Sequence, residues 1–104
     1  MKWTTFPPRI AELEPYIGRF KAVRLVAEGC EVLFGSYHDG TIIEPHCHAT
    51  DNYGVITKGE MTITIDHDTT SYQSGDWYHV AAGDLHAAAC RGDTEVVEFW
   101  FEKR

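Results

Sequence analysis

Cysteine is scarce and irregularly placed in this chain of 104 residues. The three cysteines, Cys30, Cys47 and Cys90, are odd in number and widely spaced, and no Cys-x-x-Cys pair occurs. This pattern argues against a disulfide framework and against a cysteine-type zinc knuckle. It predicts a reduced, cytoplasmic protein.

Long apolar runs and positive charge are also scarce. No stretch approaches the roughly 18 uninterrupted apolar residues of a membrane-spanning helix, and residues 1–11 lack the apolar run and cleavage site of a signal peptide. Nine basic residues stand against 16 acidic ones, which gives a formal charge of −7. We therefore expect neither nucleic acid nor a membrane as a partner.

The remaining composition, with 43% hydrophobic and 12% aromatic residues, is that of one globular domain. Three prolines and Gly18 interrupt residues 1–19, which predicts a loose N-terminal arm with at most one short helical turn. From residue 20, short runs rich in β-branched and aromatic residues alternate with turn signals. They predict strands over 20–27, 31–38, 41–48, 52–57, 60–66, 69–73, 76–81, 85–90 and 94–101. The fold class is therefore all-β, an antiparallel sandwich or barrel over residues 20–104.

Histidine, in contrast, is abundant, with six residues. His46 and His48 are separated by one residue on a predicted strand, so their side chains share a face. His86 stands near the start of a later strand. Two histidines at i and i+2 and one from a distant strand are typical of a metal site inside a β-barrel. The alternative is that the His-x-His pair faces solvent by chance.

The glycines around these histidines extend the pattern. Counted from Gly40 and from Gly75, the spacings resemble the two motifs of the cupin superfamily, G(X)5HXH(X)3–4E(X)6G and G(X)5PXG(X)2H(X)3N. Seven positions agree in both identity and spacing, namely Gly40, His46, His48, Gly59, Gly75, Gly83 and His86. The resemblance implies a double-stranded β-helix, or jelly-roll, barrel. It also implies one divalent metal ion (Zn, Ni, Mn or Fe), bound by the His-x-His pair, the acid of the first motif and the histidine of the second.

Three positions depart from the motifs. Asn52 replaces the glutamate, Ala81 the proline and Cys90 the asparagine. With Asn52 as the fourth ligand, the site holds three imidazoles and an amide oxygen and carries no ligand charge, so it binds its metal more weakly than a site with glutamate. Asp51 is the alternative ligand, one residue out of register, and water is a third possibility.

Strand parity suggests further pocket residues. Glu44 has the same parity as His46 and His48, which makes it a candidate general base. Cys90 shares a face with His86, so it is predicted to line the pocket, with a small buried hydrophobe as the alternative. If residues 58–59 form a tight turn, the inner face carries Asn52, Gly54, Ile56, Met61, Ile63 and Ile65.

The C-terminal run carries a narrower resemblance. Small cupins that act on unsaturated uronate sugars in pectin breakdown carry an acid, an aromatic residue and an arginine as D-x-F-x-x-x-R. Glu98, Trp100 and Arg104 hold those spacings with two substitutions. The resemblance implies that Glu98 is catalytic and that Trp100 and Arg104 line the pocket. The alternative is an ordinary amphipathic terminal strand.

These observations predict a metal-dependent enzyme of the isomerase, lyase or dioxygenase type. Its substrate would be a small oxygen-rich molecule such as a keto-sugar or keto-acid. The alternative is a non-catalytic protein that binds or senses a small ligand or a metal. We also expect a homodimer, because the arm carries Trp3, Phe6 and Ile10 and the last predicted strand is apolar on both faces.

Overall fold

Strands make up most of the protein. The computed structural model describes residues 4–16 and 21–102. One turn of helix, α1 (Pro8–Ala11), precedes eight strands: β1 (Glu14–Tyr16), β2 (Lys21–Ala27), β3 (Cys30–Tyr37), β4 (Ile42–His46), β5 (Asn52–Ile65), β6 (Asp68–Gln73), β7 (Trp77–Val80) and β8 (His86–Phe101). No helix among the described residues is long and apolar enough to cross a membrane.

Two long strands, β5 and β8, hold the barrel together. They pair with each other along most of their length, from Asn52 opposite Trp100 to Ile65 opposite His86. Their ends that carry Asn52 and Trp100 belong to one antiparallel layer, in the order β1-β2-β3-β8-β5-β7. Their other ends belong to a second layer, β4-β8-β5-β6. This confirms the predicted all-β jelly-roll barrel.

The prediction of a tight turn at residues 58–59 is wrong. The chain does not reverse there, and the predicted strands 52–57 and 60–66 are one strand with register shifts on both sides of Lys58. Gly59 has a φ of 79°, and a Cβ there would lie 2.5 Å from the carbonyl oxygen of Asp93. The irregularity is a β-bulge, in which glycine supplies both the backbone conformation and the space.

This bulge preserves the predicted inner face. Ile56 and Met61 are both buried although an odd number of steps separates them, which would put them on opposite faces of a regular strand. Because the bulge adds one residue, the parity changes and both side chains point inward. The core that results is a cluster of eight buried residues: Tyr37, Ile56, Met61, Ile63, Tyr78, Val80, Cys90 and Val96.

The described part of the N-terminal arm packs against the barrel. Strand β1, which the sequence did not predict, pairs with β2, and the ring of Phe6 lies edge-on to that of Phe34 at 5.6 Å between centroids. The fully buried carboxylate of Glu95 accepts hydrogen bonds from Thr4 and Thr5. Burial acts to raise the pKa of Glu95, but hydrogen bonds from Thr4, Thr5 and Ser36 outweigh it and hold the pKa below its usual value.

Candidate metal centre

Three histidines line one cavity of about 360 Å³ inside the barrel. His46 is the last residue of β4 and His86 is the first of β8, and the two are directly paired. His48 lies two residues beyond the end of β4, so the predicted strand 41–48 is shorter than expected. The three residues come together as predicted, although His48 lies outside the strand on which the parity argument placed it.

The three imidazoles are close enough to share one ion. Their nearest ligand atoms all lie within 4.8 Å of one another, and the ring centroids are 4.3–4.7 Å apart. The Nδ1 atoms of His46 and His86 lie 2.8 Å and 3.1 Å from the carbonyl oxygens of Glu44 and Asp84. Since Nδ1 donates in such a contact, Nε2 keeps its lone pair for a metal.

The charge state of the cluster also suits a metal. Burial lowers the pKa of His86, which keeps that imidazole neutral near pH 7, the form that binds metal ions. Three convergent nitrogens are a donor set for Zn²⁺, Ni²⁺, Mn²⁺ or Fe²⁺, which imidazole binds. The residues present therefore fit the divalent ion that the sequence predicts.

Of the two side chains considered for a fourth ligand, only Asn52 lines the cavity. Asn52 is buried, and its Nδ2 donates to the carbonyl oxygen of Phe99 at 3.2 Å. That bond leaves Oδ1 as the amide atom suited to a metal. Asp51 is half exposed and engaged elsewhere, since its carboxylate accepts from the amide of Ala82 at 2.8 Å and lies 3.2 Å from Nε2 of His79.

Glu98 and Trp100 line the same cavity as the histidines. Glu98 is 5% exposed, and the hydroxyl of Tyr37 donates to its Oε2 at 2.7 Å. Burial raises the pKa of Glu98 to about 7, against the opposing influence of Tyr37 and Trp100. The buried indole N–H of Trp100 has no hydrogen bond of standard geometry to any described residue, and its ring packs edge-on against His48 at 4.4 Å.

Glu44 does not line this cavity, which corrects the prediction that it is a general base there. The residue is exposed and borders a shallow depression on the outside of the barrel. The register of β4 against β8 shifts between Ile43 and His46, so parity counted back from His46 does not hold at Glu44. Ile43 lines the cavity instead.

One other predicted pocket residue, Cys90, is not among the residues that line the cavity. Cys90 belongs to the buried hydrophobic cluster, which corrects its assignment to the pocket in favour of the alternative. Burial raises the pKa of this thiol to about 11, so it stays protonated at neutral pH. Arg104 lies outside the described residues.

Sequence reasoning also missed several cavity residues, among them Tyr16, Glu31 and Tyr37. Glu31 accepts from the guanidinium of Arg24 at 3.0 Å, and Arg24 also reaches Glu14 on β1 at 3.2 Å. For Tyr37 a signal was available, because Leu33, Gly35 and Tyr37 share one face of the predicted strand 31–38. For Tyr16 no sequence signal was available, because a strand of three residues is too short to show an alternating pattern.

Comparison with known proteins identifies the family. Residues 33–102 match the family described as the cupin domain, and no curated protein matches the chain. Among solved structures, KdgF from Halomonas sp. superimposes with a TM-score of 0.79 at 15% identity over 99% of this chain and 96% of that one. An RmlC-like cupin from Shewanella frigidimarina gives 0.79 at 18% identity over 100% and 94%. A cupin superfamily protein from Desulfitobacterium hafniense gives 0.77 at 20% identity over 96% and 94%.

Proposed function

The chain belongs to the cupin family, and we propose that it is a metal-dependent enzyme acting on a small oxygen-rich molecule, such as a keto-sugar or keto-acid. The observation that carries this proposal is the buried carboxyl of Glu98 in the same cavity as the histidine cluster. A protein that only stores a metal has no need of a proton-transfer group beside it. Proton transfer favours an isomerase or lyase over a dioxygenase.

The metal would be held by His46, His48 and His86, with Asn52 or water in the fourth position. Bound there, a divalent ion supplies Lewis-acid activation of a carbonyl or hydroxyl oxygen on the substrate. The ligand set is uncharged, which leaves the full positive charge of the ion to act on that oxygen.

Glu98 would move the proton. A carboxyl with a pKa of about 7 is present in both protonation states near neutral pH, so it serves equally as general base and general acid. Apolar cavity residues such as Leu33, Ile43 and Val80 limit the water around it. Trp100 would supply an aromatic wall for the carbon skeleton of the substrate.

Metal analysis followed by a turnover screen tests the proposal. The purified protein, loaded with each of the four candidate metals, is offered keto-sugars, keto-acids and unsaturated uronates. We expect turnover of at least one compound, lost in Glu98→Gln while the bound metal per chain is unchanged. The control Glu44→Gln, which alters an exposed carboxylate outside the cavity, should keep the activity.

Two results would count against this proposal. Turnover that survives in Glu98→Gln would remove the proposed acid–base residue. Tight binding of a compound by the metal-loaded protein without any conversion would favour the alternative, a ligand-binding or metal-sensing cupin.

A further inference from the structure

Tyr37 lies against Glu98 in the wall of the cavity. It is the last residue of β3 and is 3% exposed. Its hydroxyl donates to Oε2 of Glu98 over 2.7 Å, a bond between two buried groups. This bond occupies one lone pair of Oε2 and fixes that side of the carboxylate, which leaves Oε1 as the less hindered oxygen for proton exchange with a ligand in the cavity.

Two glycines provide the space for this arrangement. A Cβ on Gly35 would lie 3.2 Å from Oε2 of Glu98 and 3.3 Å from the ring of Tyr37. A Cβ on Gly54, directly opposite Glu98 on β5, would lie 2.2 Å from the ring of Tyr78. Neither glycine has a positive φ. Glycine is therefore required at both positions for its small size and not for its backbone freedom.

We propose that Tyr37 is a positioning residue for Glu98, holding one carboxylate oxygen so that the other faces a ligand bound at the histidine cluster. This inference deepens the proposed function, since it assigns to Glu98 a defined orientation for proton transfer. In this role Tyr37 acts through Glu98, to which its hydroxyl is bonded.

Tyr37 and Trp100 both act to lower the pKa of Glu98 against its burial, and of the two only Tyr37 donates to it in a hydrogen bond of standard geometry among the described residues. Burial raises the pKa values of Tyr37, Tyr78 and Cys90, so all three are neutral near pH 7. The other groups that could influence Glu98 from the cavity are the indole of Trp100, Glu31 and the three histidines. A neutral donor at hydrogen-bond distance stabilises the carboxylate over the carboxylic acid. Removing the hydroxyl should therefore raise the pKa of Glu98.

The test is a carboxyl titration in the metal-free protein. Glutamate carboxyl carbons are labelled with ¹³C and followed by NMR over pH, with the Glu98 signal assigned by its absence in Glu98→Gln. We expect the Glu98 midpoint to rise by about one pH unit in Tyr37→Phe, a tenfold change in its ionisation constant. The histidines and Glu31 are the same in each protein, so the difference reports the hydroxyl.

Tyr78→Phe is the matched control. Tyr78 is equally buried and lies over Gly54, but no hydrogen bond joins it to Glu98 among the described residues. Removal of the Tyr78 hydroxyl should leave the Glu98 midpoint within a few tenths of a pH unit of its wild-type value. Far-UV circular dichroism checks that both variants keep the barrel.

The outcomes separate this inference from the proposed function. An unchanged or lowered Glu98 midpoint in folded Tyr37→Phe, or an equal rise in Tyr78→Phe, would overturn the positioning role. A raised midpoint in Tyr37→Phe alone supports that role even if no substrate is ever turned over, and in that case only the proposed function fails. If a substrate is found, the pH–rate profile of Tyr37→Phe should shift in the same direction as the midpoint.

Discussion

Glu98 is deeply buried and is also the proposed acid–base residue. Its carboxyl lies in an otherwise largely apolar wall, and burial raises its pKa to about 7 from an ordinary value of 4.5. In the unfolded chain the same group ionises near the ordinary value. Between these two pH values the folded protein holds more protons than the unfolded chain, so the contribution of Glu98 to stability falls as pH rises.

This difference predicts the effect of Glu98→Gln on stability. Glutamine keeps an oxygen to accept from Tyr37 but does not ionise, so the variant should lack the loss of stability that wild type undergoes as pH rises from about 4.5 to about 7. We expect the metal-free variant to be more stable than wild type at pH 8, by at most about 3 kcal/mol, and nearly equal to it at pH 4.5. Urea unfolding at both pH values measures this. A variant less stable than wild type at pH 8 would contradict the buried, poorly solvated state of Glu98.

At the scale of elements, the continuity of β5 and β8 is the main departure from the sequence prediction. Each strand passes from one layer of the barrel to the other, and Gly59 on β5 lies against Asp93 and Thr94 on β8 where they cross. Both layers therefore depend on this one irregular crossing.

Substitution of Gly59 by alanine tests the crossing. Gly59→Ala meets a strained φ and a clash with the carbonyl of Asp93, whereas Gly40→Ala has a similar φ of 82° and nothing within 4 Å of the new Cβ. We expect both variants to lose about 1–2 kcal/mol of unfolding free energy from the backbone strain, and Gly59→Ala to lose at least about 1 kcal/mol more. Equal losses would argue against the close contact at the crossing.

The register shifts in β4 and β5 separate what the sequence could predict from what it could not. The barrel and the three histidines follow from glycine and histidine spacing, which is local. The placement of Glu44 failed because the register of β4 shifts between Ile43 and His46. Pro45 lies in that interval and is a sequence signal for such an irregularity, which the count of strand parity left out. The contact between Tyr37 and Glu98 joins residues 61 positions apart, so it depends on strand order, which spacing does not give.

At the scale of the whole molecule, the outer face of the larger layer carries a group of exposed aromatic side chains. Trp77 and Phe101 are 64% and 42% exposed, and the ring of Tyr53 stacks on His79 at 4.4 Å between them on the sheet. Phe34, on the same face, is in contact with Phe6 of the N-terminal arm. A second copy of the chain would remove the remaining apolar surface from water.

We therefore expect a homodimer through this face. Light scattering should give about twice the chain mass of 11.8 kDa at micromolar concentration, and Trp77→Lys should shift the protein toward the monomer. Leu85→Lys, at a similarly exposed position directly before β8, is the control and should leave the dimer intact. A wild-type mass of one chain would contradict the expectation.

Metal binding by the histidine cluster is the claim on which the account depends, and isothermal titration of the metal-free protein with Zn²⁺ or Ni²⁺ tests it most directly. We predict about one ion per chain for wild type and for His67→Ala, whose side chain is exposed in a turn between β5 and β6. His48→Ala should lose at least tenfold in affinity while its circular dichroism stays that of the folded barrel. Binding by His48→Ala that equals wild type, or no binding by wild type, would contradict a metal centre at His46, His48 and His86.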